Sequence, residues 1–378
     1  NDVGVIKLVE MMQEHGLDDL EVLSQLILDR SEEATRTAIA EIPNGTYEDE
    51  VEIDGFDDPL KIRVAITVQD QDLRVDYAGS SAQVDRGINV VYNYTHAYTT
   101  YPLKCAISPS VPNNEGSFRP ISVQAPEGSI LNCTFPSAVG ARHLVGHFLS
   151  QVIFGALSQV IPERVISDGS AGLWNTQMEG HDRQGRVFAY IFFSAGGMGA
   201  RPGADGLSAT AFPSGIRGVP AESIESVSPV MMLKRELRQD SGGAGKFRGG
   251  LGQEMVLQAD CDQPVLHSCM YDRTRCTPRG FLGGQDGKQG ELFLSDGTPL
   301  HPKGKYLLQP GQSVTLRLPG GGGYGHALER DPELVLEDVR QERVSLESAR
   351  EAYGVVVDPE NWTVDLQATQ ALRTKKGG

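Results

Sequence analysis

Residues 60–77 read Leu60-Lys61-Ile62-Arg63-Val64-Ala65-Ile66-Thr67-Val68-Gln69-Asp70-Gln71-Asp72-Leu73-Arg74-Val75-Asp76-Tyr77. Apolar and polar residues alternate on both sides of an Asp/Gln turn, which is the period of strands with one buried and one solvated face. Thr46 to Ile53 alternates in the same way, so the three segments predict a meander. Upstream the period is helical. Val5, Leu8, Val9 and Met12 recur before a stop at Gly16, and Asp18 or Asp19 caps a second helix carrying Leu20, Leu23, Leu26 and Ile27 to about Ile42. Pro43-Asn44-Gly45 turns the chain out of that helix.

Downstream, the tyrosine-rich stretch Gly87 to Ile107 reads as helix on its length, and Ile121 to Gln124 as a short strand. The clearest helical segment runs from about Ala141 to Val160, with Pro162 at its exit. Strands are expected at Val187–Phe193, Gln253–Gln258, Val265–Tyr271, Glu291–Ser295 and Val314–Leu318. Asp331-Pro332 and Ser345 open two helices in the tail, Gly354 closes the second, and Thr374 to Gly378 are expected to fray. The expected fold is α+β and β-rich, with mixed or antiparallel sheets, a central buried helix and helical N- and C-terminal segments. It divides into four portions: 1–45 (helical, continuing from a region before Asn1), 46–162 (meander and central helix), 163–330 (glycine-rich and β), and 331–378 (helical tail).

The 378 residues carry 34 Lys and Arg against 50 Asp and Glu, a net charge of −16. That balance disfavours a nucleic-acid or anionic-membrane surface, which would repel the protein at long range. No window approaches the ~18 apolar residues of a membrane span. Five cysteines, an odd number with no C-x-x-C pair, point to reduced thiols in a cytoplasmic protein.

Four stretches are dense in glycine: Ala195–Gly203, Ser241–Gly245, Arg248–Gly252 and Gly320–Gly325. Consecutive backbone N–H groups can cradle an anion, but no Lys-Ser or Lys-Thr follows any run and none reads as a dinucleotide fingerprint. Tight turns and close backbone approach are the simpler account. The first stretch is the best binding candidate, because Arg201 and Asp205 flank its end and a guanidinium can grip a carboxylate or phosphate in bidentate fashion. His143 and His147 stand four apart on one helix face without the glutamate of H-E-x-x-H, so a packed pair is simpler than metal ligands. Arg142-His143, at the helix start, is the better anion contact. There is no G-x-S-x-G elbow.

Several segments, in order, resemble the B-type subunit of the hydantoinase/oxoprolinase family: Pro112-Asn113-Asn114-Glu115-Gly116-Ser117-Phe118-Arg119-Pro120, Ala125-Pro126-Glu127-Gly128-Ser129-Ile130-Leu131-Asn132, Phe154-Gly155-Ala156-Leu157, Gly199 to Ala209, Lys246 to Gln253, and Leu318 to Gly325. The resemblance implies an ATP-dependent hydrolase that opens a hydantoin, 5-oxoproline or related lactam ring. A related acetone- or acetophenone-type carboxylase subunit and a non-catalytic assembly module are the alternatives. It further implies a hetero-oligomer with an A-type partner that binds ATP and phosphorylates the substrate, a cyclic amide or ketone. A divalent metal (Zn, Mn or Fe) is implied in a region upstream of Asn1, so no metal ligand and no catalytic residue is carried onto this chain. Arg142, His143, Gly199, Arg201 and Asp205 are carried over as substrate-binding candidates, with Asn114 and Glu115 weaker ones against a plain turn role.

Overall fold

The structure, a computed structural model, describes residues 1–377. Helix α1 (Asp2–Glu14) buries none of its residues, and α2 (Glu21–Ala40) buries Ser31, Thr35 and Ile39. Strands β1 (Gly45–Ile53), β2 (Leu60–Gln69) and β3 (Asp72–Asp76) form the antiparallel meander that the alternation predicts. After α3 (Tyr92–Ile107) and the single turn α4 (Glu115–Phe118), strand β4 (Ile121–Gln124) joins β3 in parallel and makes the sheet mixed. Ile62, Val64, Ile66, Val68, Leu73 and Val75 all point to one face, where they share a core with Leu149, Val152 and Ile153. This is the period-two pattern at work: a slip of one residue would put the whole set in water.

The expected continuous helix over 141–160 is two pieces, α5 (His143–Gly146) and α6 (Leu149–Leu157). The turn between them tightens, because the Phe148 amide bonds the Val145 carbonyl three residues back. Gly146 sits at the break, where a Cβ would strike the Tyr94 ring. Every residue of α6 is buried, so this is the central helix of the fold. Helix α3 starts only at Tyr92, because the residues before it are extended and Val90 exchanges backbone bonds with Ile130 and Cys133.

The second half is two four-stranded antiparallel sheets. Strands β5 (Trp174–His181) and β6 (Val187–Ser194) precede helix α7 (Ala221–Val227) and β7 (Val230–Leu237). Then come β8 (Gln253–Ala259), β9 (Val265–Met270), β10 (Glu291–Leu294), β11 (Lys305–Leu308) and β12 (Ser313–Arg317). The sheet orders are β11-β9-β5-β6 and β10-β12-β8-β7. One core unites them, with Trp174, Met178, Phe192 and Val265 from one sheet against Met255, Leu257, Val314 and Leu316 from the other. The sequence reading did not include β5, β7, β11 or α7. Asp331 caps α8 (Pro332–Arg340) and Ser345 caps α9 (Leu346–Glu351), as their spacing predicts. The hairpin β13 (Val357–Asp358) and β14 (Thr363–Val364) leads to α10 (Leu366–Gly377). That helix continues past the expected fraying point at Thr374, since Arg373 bonds the Tyr353 and Arg330 carbonyls and Lys376 the Glu351 carbonyl.

Between these layers the glycine-dense stretches pack together as extended segments outside any sheet. Segment 319–325 is the centre. Gly320 and Gly323 donate to the Lys288 and Gln285 carbonyls, while Gly321 donates to Gly250 and Gly322 to Asp168. The Pro319 and Gly322 carbonyls accept from Gly197 and Ala200, the Gly321 carbonyl from Gly243, and the Gly323 carbonyl from Phe281. The same neighbour therefore returns every third residue, the period of a polyproline II-type helix with its polar groups radiating in all directions. Such packing leaves no room for side chains at the contacts. A Cβ on Gly321 would strike the Met198 carbonyl oxygen, and one on Gly197 the Gly250 carbonyl oxygen.

Gly321→Ala should therefore lower the stability by ~3 kcal/mol or more, since neither backbone can yield without losing its bond. Gly4→Ala, on exposed α1 with open space around it, should leave the protein unchanged or more stable by up to ~1 kcal/mol. Urea denaturation midpoints of the two variants check the contrast.

Candidate functional site

Tyr94 and Tyr98, one helical turn apart on α3, share a face, and their rings stack with centroids 4.3 Å apart and planes 6° apart. Tyr98 in turn stacks on His147 at 5.5 Å. His147 lies 5.7 Å from His143, and His143 meets the Phe193 ring edge-on at 5.9 Å. Arg142 closes the row, its guanidinium 5.5 Å from the centre of the Tyr94 ring. Farther along α3, Tyr101 faces Phe212, which stacks on Phe154. Helix α3, the α5 turn with its flanking residues Arg142 and His147, and the end of β6 supply the row from Tyr94 to Phe193, while Phe154 comes from α6 and Phe212 from a loop. Gly146 lets α3 approach closely enough for Tyr94 to lie over the helix backbone.

Both imidazoles are held below the ordinary histidine value. Burial pushes His147 down to about 4, helped by the nearby His143 and opposed by a hydrogen bond with the Ala171 backbone. Burial, and then the Arg142 charge, hold His143 below its ordinary value. His143 Nε2 and His147 Nδ1 are both buried without a hydrogen-bond partner. His143 is half-buried, so its Nδ1 edge is the one left toward solvent, whereas His147 is only 2% exposed. A half-exposed imidazole backed by a stack of rings, with a guanidinium beside it, suits a small polar or anionic ligand.

Of the five residues singled out from the sequence, Arg142 and His143 fall together here. Gly199 is buried in the glycine bundle, where a Cβ would strike the Ser167 carbonyl. Asp205 is committed to the fold. Its oxygens accept from Arg330 at 2.7 and 2.8 Å, and Oδ1 also accepts from the Arg248 amide. Burial acts to raise Asp205, but the Arg330 hydrogen bonds and the charges of Arg330 and Arg248 prevail and hold it below the usual carboxylate range. Arg201 exchanges backbone bonds with Ala204 and keeps a buried Nε without a partner. Among the described residues no hydrogen bond, ion pair or ring contact joins Arg201 or Asp205 to His143. Asn114 caps α4 with a reciprocal bond to Ser117, and Glu115 is exposed. The sequence reading missed Tyr94, Tyr98 and Phe193. The Tyr94–Tyr98 spacing of four within a helical stretch was the available signal, whereas nothing local to Phe193 tells of His143.

Among the described residues no group of three or more His, Cys, Asp or Glu side chains converges as metal ligands. His143 and His147 are only a pair, so these residues do not fit a metal centre. No described helix is long and apolar enough to cross a membrane, and all five cysteines are unpaired.

Comparison with known proteins adds three findings. The family model described as Hydantoinase B/oxoprolinase matches residues 1–327. An uncharacterized protein of Methanocaldococcus jannaschii is 35% identical over 98% of this chain and 66% of its own length, and caprolactamase subunit beta of Pseudomonas jessenii is 31% identical over 98% and 67%. The crystal structure of the ATP-dependent caprolactamase from Pseudomonas jessenii superposes with a TM-score of 0.85 at 27% identity, covering 99% of this chain and 67% of that one. The chain thus spans about two thirds of the length of these curated relatives.

The buried imidazoles make a pH prediction. His147 and His267, both pushed down to about 4 in the fold, take up a proton more readily when unfolded, at about 6.5. Their contribution is complete above pH 6.5 and is lost as pH falls toward 4. Stability should drop by about 2 kcal/mol per histidine between pH 7 and pH 5. His267→Leu should flatten that slope in pH-dependent urea titrations, and an unaltered slope would refute the assignment for His267.

Proposed function

Because the chain belongs to the hydantoinase B/oxoprolinase family, we propose that it is the B-type subunit of an ATP-dependent cyclic-amide hydrolase that opens a hydantoin, 5-oxoproline or related lactam ring. The observation that carries the site is the ring-lined surface of Tyr94, Tyr98 and His143 with Arg142 at its rim. An amide is a poor electrophile, and phosphorylation of its oxygen by an A-type partner that holds ATP supplies a leaving group. On this reading the Tyr94–Tyr98 stack fixes the imidazoles and the guanidinium, His143 hydrogen-bonds the polar edge of the amide, and Arg142 pairs with a phosphoryl or carboxylate group. Gly199 and Asp205 serve the glycine bundle, and Arg201 lies on the loop between them. The divalent metal implied by the family is assigned outside these residues, and the roles of Tyr94, Tyr98, Arg142 and His143 do not depend on it. A relative named as a beta subunit supports a hetero-oligomer, and five unpaired cysteines suit the cytoplasm.

The test is ATP-dependent ring opening by this chain in complex with its A-type partner, over hydantoins, 5-oxoproline and lactams. Turnover of at least one ring is expected, with kcat/KM falling ~10²-fold in His143→Ala and ~10-fold in Arg142→Ala. ATP-dependent carboxylation of ketones without ring opening, or full activity in His143→Ala, would overturn the reading.

A further inference from the structure

A strand at the edge of a sheet presents a row of open amides and carbonyls, and most edges of this protein are blunted. On β1, the Gln159 and Arg279 side chains bond the Glu48 and Glu50 carbonyls. On β7, a bulge interrupts the pairing between Met232 and Lys234, and Glu225 holds the Met232 amide. Strands β4, β10 and β11 span only four residues each. Strand β6 has none of these devices. It ends the sheet β11-β9-β5-β6, runs for eight residues without a charge or a proline, and pairs with β5 without a bulge. Its open groups follow from the ladder, because each residue of an antiparallel strand turns its amide and carbonyl to one neighbour only, in alternation. Cys269 and Tyr271 of the β9 segment donate toward β11, to Gly304 and Pro302, so Ser268 and Met270 bond β5 at Gln177 and Asn175. Thr176 and Met178 of β5 then bond Phe192 and Tyr190, a phase that the Asp182 amide on the Arg186 carbonyl continues. The amides and carbonyls of Val187, Ala189, Ile191 and Phe193 therefore point out of the edge, and no described backbone group bonds them. Val187 is 79% exposed and Ile191 53%.

We propose that β6 pairs with β6 of a second copy of this chain, antiparallel about a two-fold axis at Tyr190, so that two four-stranded sheets become one. In that register Val187 stands opposite Phe193 of the second copy, and Ala189 opposite its Ile191. Every open amide of one edge then meets an open carbonyl of the other, and a smaller side chain lies opposite a larger one. The edge selects this occupant. From Val187 to Ser194 there is no charge for an oppositely charged partner to read, and β6 is itself the apolar, alternating strand that such an edge accepts. The seam is about 27 Å long and buries on the order of 500 Å² per copy, the lower limit for a specific dimer. Val227 and Met231 extend the apolar flank, since they line one cleft with Phe188. Two chains of net charge −16 repel each other, so salt strengthens the pairing by screening. Phe193 also meets His143, so the seam runs up to the candidate site.

Sedimentation velocity of the full chain tests the pairing. A species of twice 40.9 kDa should form with a dissociation constant of ~10 µM and tighten as salt rises to ~0.5 M. Ile191→Lys puts a charge on the open edge, and Ala189→Pro removes an amide that points away from β5; each should weaken the dimer ~10²-fold, whereas Ile191→Val should leave it intact. Hydrogen exchange locates the seam. The amides of Val187, Ala189, Ile191 and Phe193 should slow as protein concentration rises, while those of Phe188, Tyr190 and Phe192 stay protected at every concentration. A chain that remains monomeric at ~100 µM, or a dimer that survives both Ile191→Lys and Ala189→Pro, would overturn the proposal. Edge amides that slow only when the A-type partner is added would overturn it too, by giving the edge to that partner.

Discussion

The backbone polar groups of segment 319–325 are buried and need partners away from water, and most of them find one, in six different stretches of chain. No sheet can do this, because a strand addresses only two neighbours. An extended helix of three residues per turn can, provided that no side chain stands between the chains. The arrangement sets the rest of the molecule. Segment 167–171 is fixed by Asp168 and Ser170 and delivers Ala171 to His147. Strand β6 ends by feeding 195–200 into the same bundle, which places Phe193 beside His143. The site is thus assembled at the margin of a rigid backbone array rather than on a mobile loop.

Buried charges tie the flanking layers to this array. Arg330 bridges Asp205 and Asp338, and Arg248 joins the same cluster. On the other side Asp168 pairs with Arg273 and Arg279, while Arg279 also holds Asp49 of β1. Asp54, just past the end of β1, accepts from the Thr274 amide and hydroxyl and the Arg275 amide. Each such pair is expensive to desolvate, so its value lies in register: removing one partner would strand the other in a dry interior. The meander, the central helix and the double sheet are held in one relation by these contacts.

Much of the fold was legible because it is local. Alternation located β1 to β4 closely, and Asp331 and Ser345 announced the caps of α8 and α9. Asn114 proved to be a capping residue, the plain turn reading of its segment. The misses share one cause, which is partnership across long sequence separations. Trp174–His181 carries Asn, Gln and Gly, and becomes a strand because β6 and β9 flank it. The break at Gly146 depends on Tyr94, and the extended course before Tyr92 on Ile130. At the site, Arg142 and His143 were visible as a helix-start pair. Asp205 looked equally available because its partners Arg330 and Arg248 lie 125 and 43 residues away.

The central claim is that the glycine bundle is the most persistent part of the structure and that the site depends on it. Native-state hydrogen exchange resolved at the amides of Gly197, Gly250, Gly321 and Gly322 tests it directly. These amides should exchange only through global unfolding, at the same free energy as the slowest amides of the double sheet. Exchange through a local opening at clearly lower free energy, with the sheets still protected, would show that the bundle is a filler between layers and would contradict the account.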